Sequence, residues 1–179
     1  MNSPPSNLLS WLTCQDSLTN KLKAIATDVR LEILQQKWVL PSLWHQQALG
    51  ITEHSVLHRD ILTWGNQRVC WYARTIIPLS SYQGEVSFFN RLQQESLGDL
   101  IYGNAAVKRV ALIHYAIDKE APEYGWLNEF IPEDADSLWA RRSLFKVNSL
   151  PFYLVELFLP GLLRCFVEVE SVPALNACS

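Results

Sequence analysis

Two runs rich in β-branched and aromatic residues, His54–Trp64 and Arg68–Pro78, flank the turn-forming pair Gly65-Asn66. A pair of strands so close in sequence can only return on itself, so the segment predicts an antiparallel hairpin. The pattern recurs downstream, where Leu138–Val147 and Phe152–Leu159 flank Asn148-Ser149. Period-two alternation from Val29, with Leu31, Ile33 and Val39, and across Lys108–Asp118, adds two further strands. Helical spacing is confined to two stretches. Asn7–Ala26 reads as two pieces, the second capped by Asp16 or Ser17, and Phe88–Tyr102 is stopped by Gly103. Hairpin-linked strands without regular βαβ alternation predict an α+β fold, an antiparallel sheet of about six strands with helices on one face.

The 179 residues suit one domain spanning 1–179, with residues 161–179 as a C-terminal extension that includes a short strand at Cys165–Val169. Lys119–Asp136 carries six carboxylates, Pro122, Pro132 and Gly125, and reads as a long surface loop. Hydrophobic residues make up 49% of the chain and charged residues only 18%, which excludes intrinsic disorder. A net charge of −3 argues against a nucleic-acid partner. Leu150–Leu163 is interrupted by Pro151, Glu156 and Pro160, is too short to span a bilayer, and reads as a buried strand. Met1–Ser10 has neither a basic region nor a long apolar run, so a cytoplasmic chain without stable membrane insertion is expected. Cys14, Cys70, Cys165 and Cys178 are widely spaced and read as free thiols. His45, His54, His58 and His114 form no metal-binding pattern, and glycine-rich phosphate loops and G-x-S-x-G elbows are missing.

With charge so scarce, two charged residues inside apolar runs stand out. Glu156 lies in Phe152-Tyr153-Leu154-Val155-Glu156-Leu157-Phe158-Leu159, where both alternating faces are apolar. A carboxylate there needs a partner, or it holds its proton at neutral pH. It is either half of a buried ion pair or a pocket group suited to proton transfer. Arg59 shares a strand face with Leu57, Ile61 and Thr63. Arginine does not shed its charge, so a buried one demands an anion, either Glu156 or a ligand carboxylate held in its fork. Arg74, Arg141 and Arg142 taken singly read as rim or solvated residues. Together, several arginines on neighbouring strands and one glutamate point to a pocket for a small anionic molecule.

The residues around these charges resemble the bacterial chorismate pyruvate-lyases, which make 4-hydroxybenzoate for ubiquinone synthesis. The resemblance runs from Trp11 to Pro160. It rests on Asp16-Ser17-Leu18-Thr19, Leu57-His58-Arg59-Asp60-Ile61-Leu62, Ala73-Arg74-Thr75-Ile76-Ile77-Pro78, Ser96-Leu97-Gly98, Arg141-Arg142-Ser143 and Val155-Glu156-Leu157-Phe158-Leu159-Pro160, in that order and spacing. It implies Arg59 as ligand-binding and catalytic, Glu156 as the acidic active-site residue, and Leu18 and Leu97 as apolar contacts. Helical segments around the two leucines would be lids over an internal pocket, and Arg74 and Arg142 would be supporting residues. The implied reaction converts chorismate to 4-hydroxybenzoate and pyruvate with no cofactor or metal, in a protein expected to be monomeric. Slow release of the aromatic product is a further expectation. The 119–136 loop is longer than the family pattern, and the tail beyond Pro160 has no counterpart in it.

The alternative from a different class is a non-catalytic domain that binds an aromatic acid, like the effector-sensing domains of transcription regulators. Only about thirty residues precede the first strand, too few for a separate DNA-binding module.

Overall fold

The computed structural model describes residues 3–127, 130 and 136–170, with side chains to residue 165. Six strands form one sheet: β1 (Val29–Val39), β2 (Val56–Gly65), β3 (Arg68–Pro78), β4 (Val107–Asp118), β5 (Ser137–Val147) and β6 (Leu150–Phe158). Their order is β1-β2-β3-β6-β5-β4, and every neighbouring pair is antiparallel. The sheet is therefore two three-stranded meanders joined through their third strands. This places β3 and β6 at the centre, where a carboxylate or guanidinium is furthest from the sheet edge.

Both hairpins close with two consecutive residues at positive φ, Asn66 (47°) with Gln67 (63°) and Asn148 (46°) with Ser149 (74°). That is the backbone of a turn whose twist matches the flanking strands. The first turn thus sits one residue later than Gly65-Asn66, while the second falls on Asn148-Ser149 as expected. Asn66 Oδ1 also accepts from the Thr27 and Asp28 amides, pinning the hairpin tip to the start of β1.

The main helical layer lies on one face. It comprises α1 (Ser6–Leu12), α2 (Leu18–Lys23), α4 (Leu79–Gly84), α5 (Val86–Asn90), a 3-10 turn at Arg91–Gln93, α6 (Leu97–Ile101) and α7 (Pro160–Glu170). Trp11, Leu12, Leu22, Phe89, Leu92, Leu100 and Leu162 from these elements pack against Trp71, Phe145, Phe152 and Phe158 of the sheet. The opposite face has a smaller cover from α3 (Leu43–Leu49) and the 3-10 turn Tyr124–Trp126, over Leu62, Tyr72, Ile76, Val155 and Leu157. Ser42 starts α3 with a reciprocal capping box to His45, a signal too short to have been read as a helix.

Four expectations are corrected. Cys165–Val169 belongs to α7, because Pro160 opens a helix once β6 has ended at Phe158; Leu150–Leu163 is likewise strand and helix rather than one buried strand. Residues 121–127 do more than run over the surface, since Glu123, Tyr124 and Leu127 are buried against the second face. Arg74 and Arg141 are buried and paired, neither rim nor solvated. Residues 128–129, 131–135 and 171–179, including Cys178, lie outside the described residues.

Candidate active site

Strand register assembles the site in three rows on the face beneath α2 and α6. The middle row is Ile61, Ala73, Glu156 and Arg141 across β2, β3, β6 and β5. One row away lie Arg59, Thr75, Leu154 and Ser143, and on the other side Thr63, Trp71, Phe158 and Trp139. Ala73 contributes almost no volume between Ile61 and Glu156, so the floor dips there. The roof comes from Ser17 and Leu18 at the start of α2 and from Ser96, Leu97 and Gly98 at the start of α6. Each of these short helices is capped by its serine, with Ser17 Oγ accepting from the Asn20 amide and Ser96 Oγ from the Asp99 amide. Together these groups bound about 510 Å³ of empty space, part of it open to solvent.

The expected residues Arg59, Glu156, Leu18 and Leu97 all line this one pocket. Arg59 is 4% exposed, and its Nε is buried without an acceptor among the described residues. No carboxylate among the described residues pairs with it, and burial pulls its pKa below the ordinary arginine value. A guanidinium keeps its charge at neutral pH even so, and an unpaired buried cation calls for an anion from outside the chain.

Glu156 is not that anion. Its Oε2 accepts from Arg141 Nε, and the pair is almost wholly buried. Glu156 is thus half of a buried ion pair and a pocket-lining group at once, and its Oε1 accepts no hydrogen bond from the described residues. Arg141, 1% exposed, also donates from Nη1 to the carbonyls of Trp11 (3.2 Å) and Cys14 (2.9 Å) in the segment leading to α2.

Arg141 is the site residue the sequence reading missed, though a signal for it existed. The turn at Asn148-Ser149 pairs Val147 with Leu150, and counting back in that register sets Arg141 opposite Glu156. The supporting residues Arg74 and Arg142 do not join the pocket, because strand alternation turns them to the other face. Arg74 forks onto Asp60 with two 2.7 Å hydrogen bonds and lies 4.2 Å from the centre of the Trp126 ring. Arg142 lies over Tyr115.

The second face holds another polar cluster. The Ser42 amide donates to His45 Nδ1 (3.0 Å), which assigns the His45 proton to Nε2, from where it is given to His58 Nε2 (2.8 Å). Burial and the Arg74 charge lower the pKa of both histidines, that of His58 to about 3, where the His45 and Lys37 charges add to the effect and Asp60 opposes it. Among the described residues no group of three or more His, Cys, Asp or Glu is placed to hold a metal ion, and no helix is long and apolar enough to cross a membrane.

An apolar pocket with one unsatisfied cation and one carboxylate held beside it can bind an aromatic or alicyclic carboxylate and place the glutamate against its ring. Comparison with known proteins gives this arrangement a family. The probable chorismate pyruvate-lyase of Thiobacillus denitrificans is 29% identical over 89% of this chain and 86% of its own length. That of Coxiella burnetii is 31% identical over 88% and 85%, and the chorismate pyruvate-lyase of Cronobacter sakazakii 27% over 87% and 82%. Among solved structures, the C-terminal domain of PhnF matches with a TM-score of 0.56 at 22% identity, covering 90% of this chain and 95% of that one. The effector domain of PhnF from Mycobacterium smegmatis matches at 0.55 and 14%, covering 81% and 89%. At these identities the structural likeness speaks to the fold alone. The family model described as chorismate lyase matches residues 1–167, continuing past Pro160 into α7, and the chain belongs to the chorismate lyase family.

Proposed function

We propose that this chain is a cofactor-free chorismate pyruvate-lyase, a cytoplasmic monomer that supplies 4-hydroxybenzoate as the first committed step of bacterial ubiquinone synthesis. The observation that carries the reading is the buried Arg59 guanidinium, left without an anion in an apolar pocket that also presents Glu156. The ring carboxylate of chorismate is the anion Arg59 takes. Leu18, Leu97, Ile101 and Trp71 then enclose the ring and exclude water.

The reaction breaks the bond between a ring carbon and the enolpyruvyl oxygen and removes the proton from the neighbouring hydroxyl-bearing ring carbon. The electron pair of that C–H bond becomes part of the aromatic ring, and the enol of pyruvate takes up a proton to give the keto acid. Atoms and electrons balance without an oxidant. Glu156, two strands from Arg59, stands toward the ring hydroxyl and the breaking C–O bond, where it orients the substrate and assists proton movement. Enclosure of an aromatic product in such a pocket favours slow release.

Steady-state kinetics on chorismate test the assignment of roles. Glu156→Ala is expected to lower kcat by about a hundredfold or more. Arg59→Ala is expected chiefly to raise KM and to weaken 4-hydroxybenzoate binding. Full activity in both variants would remove these residues from the site. The fold shared with regulator effector domains supports a second reading, binding of an aromatic acid without chemistry; absence of turnover with retained 4-hydroxybenzoate binding would establish it.

A further inference from the structure

We propose that Arg141 is a positioning residue that couples the roof of the pocket to the Glu156 carboxylate, so that loss of the carboxylate charge also loosens the roof. One guanidinium makes both connections, Nε to Glu156 Oε2 and Nη1 to the carbonyls of Trp11 and Cys14. Those carbonyls belong to the end of α1 and the turn that delivers Ser17 and Leu18 to the pocket. The same turn is held from two other sides. Arg109 Nη1 donates to Gln15 O (2.8 Å) and, at 3.4 Å, to Cys14 O; its Nη2 donates to Tyr102 Oη (2.9 Å), and Tyr102 Oη donates to Asp16 O (3.0 Å). Tyr102 directly follows α6, the other half of the roof, so one network spans both halves.

The coupling follows from the cost of burying Arg141. With Glu156 ionised, the cation has its counter-charge and can spend its remaining donors on two carbonyls. With Glu156 neutralised, Arg141 becomes a buried cation without an anion and must move toward water or another acceptor, releasing the turn. A planar fork is needed to serve a carboxylate and two carbonyls at once, which an ammonium group cannot reproduce. The kinetic consequence rests on Glu156 being the working carboxylate of the lyase; the mechanical one rests on geometry alone.

Backbone hydrogen exchange on the full chain tests it, comparing wild type, Glu156→Gln, Arg141→Lys and the double variant without ligand. Each single variant is expected to exchange about tenfold faster across residues 11–19, with α3 unchanged and the double variant no faster than the singles. Arg141→Lys is further expected to release 4-hydroxybenzoate faster than wild type. Unchanged exchange at residues 11–19, or acceleration spread equally over α3, would overturn the coupling. Should Arg141→Lys fail to fold, Glu156→Gln alone decides, since it leaves the arginine in place. If wild type does not turn over chorismate, the lyase reading fails while the exchange result still stands for or against the coupling.

Discussion

Two buried arginines that line the same pocket have opposite consequences for stability. Arg141 is satisfied by Glu156 and two carbonyls, whereas Arg59 has no anion among the described residues. Arg59→Met is therefore expected to stabilise the ligand-free protein, by about 1–3 kcal/mol, while removing ligand binding. Glu156→Ala strands Arg141 and is expected to cost about 3–5 kcal/mol. Urea unfolding of both variants checks the pair of signs. Thr63 makes a smaller case of the same kind, a pocket-lining hydroxyl, fully buried, whose Oγ1 has no hydrogen-bond partner among the described residues. Replacement by isosteric valine is expected to raise the melting temperature slightly, since the orphan polar atom is lost and the shape kept. A fall would show that the hydroxyl is satisfied by bound water. At this scale the sequence was informative because a charge inside an apolar strand has nowhere neutral to go. Glu156 and Arg59 were visible on that ground, whereas adjacent Arg141 and Arg142 looked alike until alternation and register sent them to opposite faces.

Among the elements, the hairpins are legible because turn chemistry is local, and the Cys165–Val169 stretch, expected as a strand but helical in α7, is not, because its constraint is tertiary. Helix α7 lies so close to β3 that a Cβ on Gly161 would stand 2.2 Å from the Val69 carbonyl oxygen. Gly161→Ala is expected to push α7 off the sheet and cost about 1–3 kcal/mol, seen as a lower urea midpoint. The displacement also has a chemical readout. Cys165 on α7 faces Cys70 on β3 with sulfurs 3.6 Å apart, both fully buried, and burial together with the neighbouring thiol pushes the Cys70 pKa up. A neutral buried thiol is a poor nucleophile, so Cys70 and Cys165 are expected to resist alkylation in the native protein and to react quickly in Gly161→Ala. Equal reactivity in both proteins would mean that α7 tolerates the extra methyl. Nothing in the period of residues 161–170 announces such a contact, which depends on where β3 lies in three dimensions.

Across the whole molecule, the second face sets the acid limit of stability. His45 and His58 are kept neutral in the folded state by burial and by Arg74, below the ordinary value of 6.5 and, for His58, to about 3. Above pH 6.5 neither the folded nor the unfolded chain protonates them. Below it the unfolded chain gains protons the folded chain refuses, so stability falls down to about pH 3. The loss is at most about 1.4 kcal/mol per pH unit for each histidine. Asp60 acts in the same direction. Burial alone would raise its pKa, but the Arg74 hydrogen bonds and charge outweigh it and hold the group low, so its contribution is lost as pH falls below 3.8. His58→Gln keeps an acceptor for His45 and is expected to flatten the unfolding free energy between pH 6.5 and 4. An unchanged slope would exclude the histidine pair as its source. The covering of this face is not legible in sequence, because α3 is a single short helix and the 119–136 segment has the composition of solvent-exposed acid, whereas the two hairpins and the antiparallel class follow from local pattern; the β3–β6 pairing that joins the hairpins is set by tertiary packing.

The most direct measurement is the fate of chorismate itself. Purified protein in catalytic amount is incubated with chorismate, and 4-hydroxybenzoate and pyruvate are quantified together over time. The expected result is equimolar appearance of the two products through many turnovers, slowed about a hundredfold or more in Glu156→Ala. Chorismate recovered intact, or one product formed without the other, would contradict the assignment of this pocket to the lyase reaction.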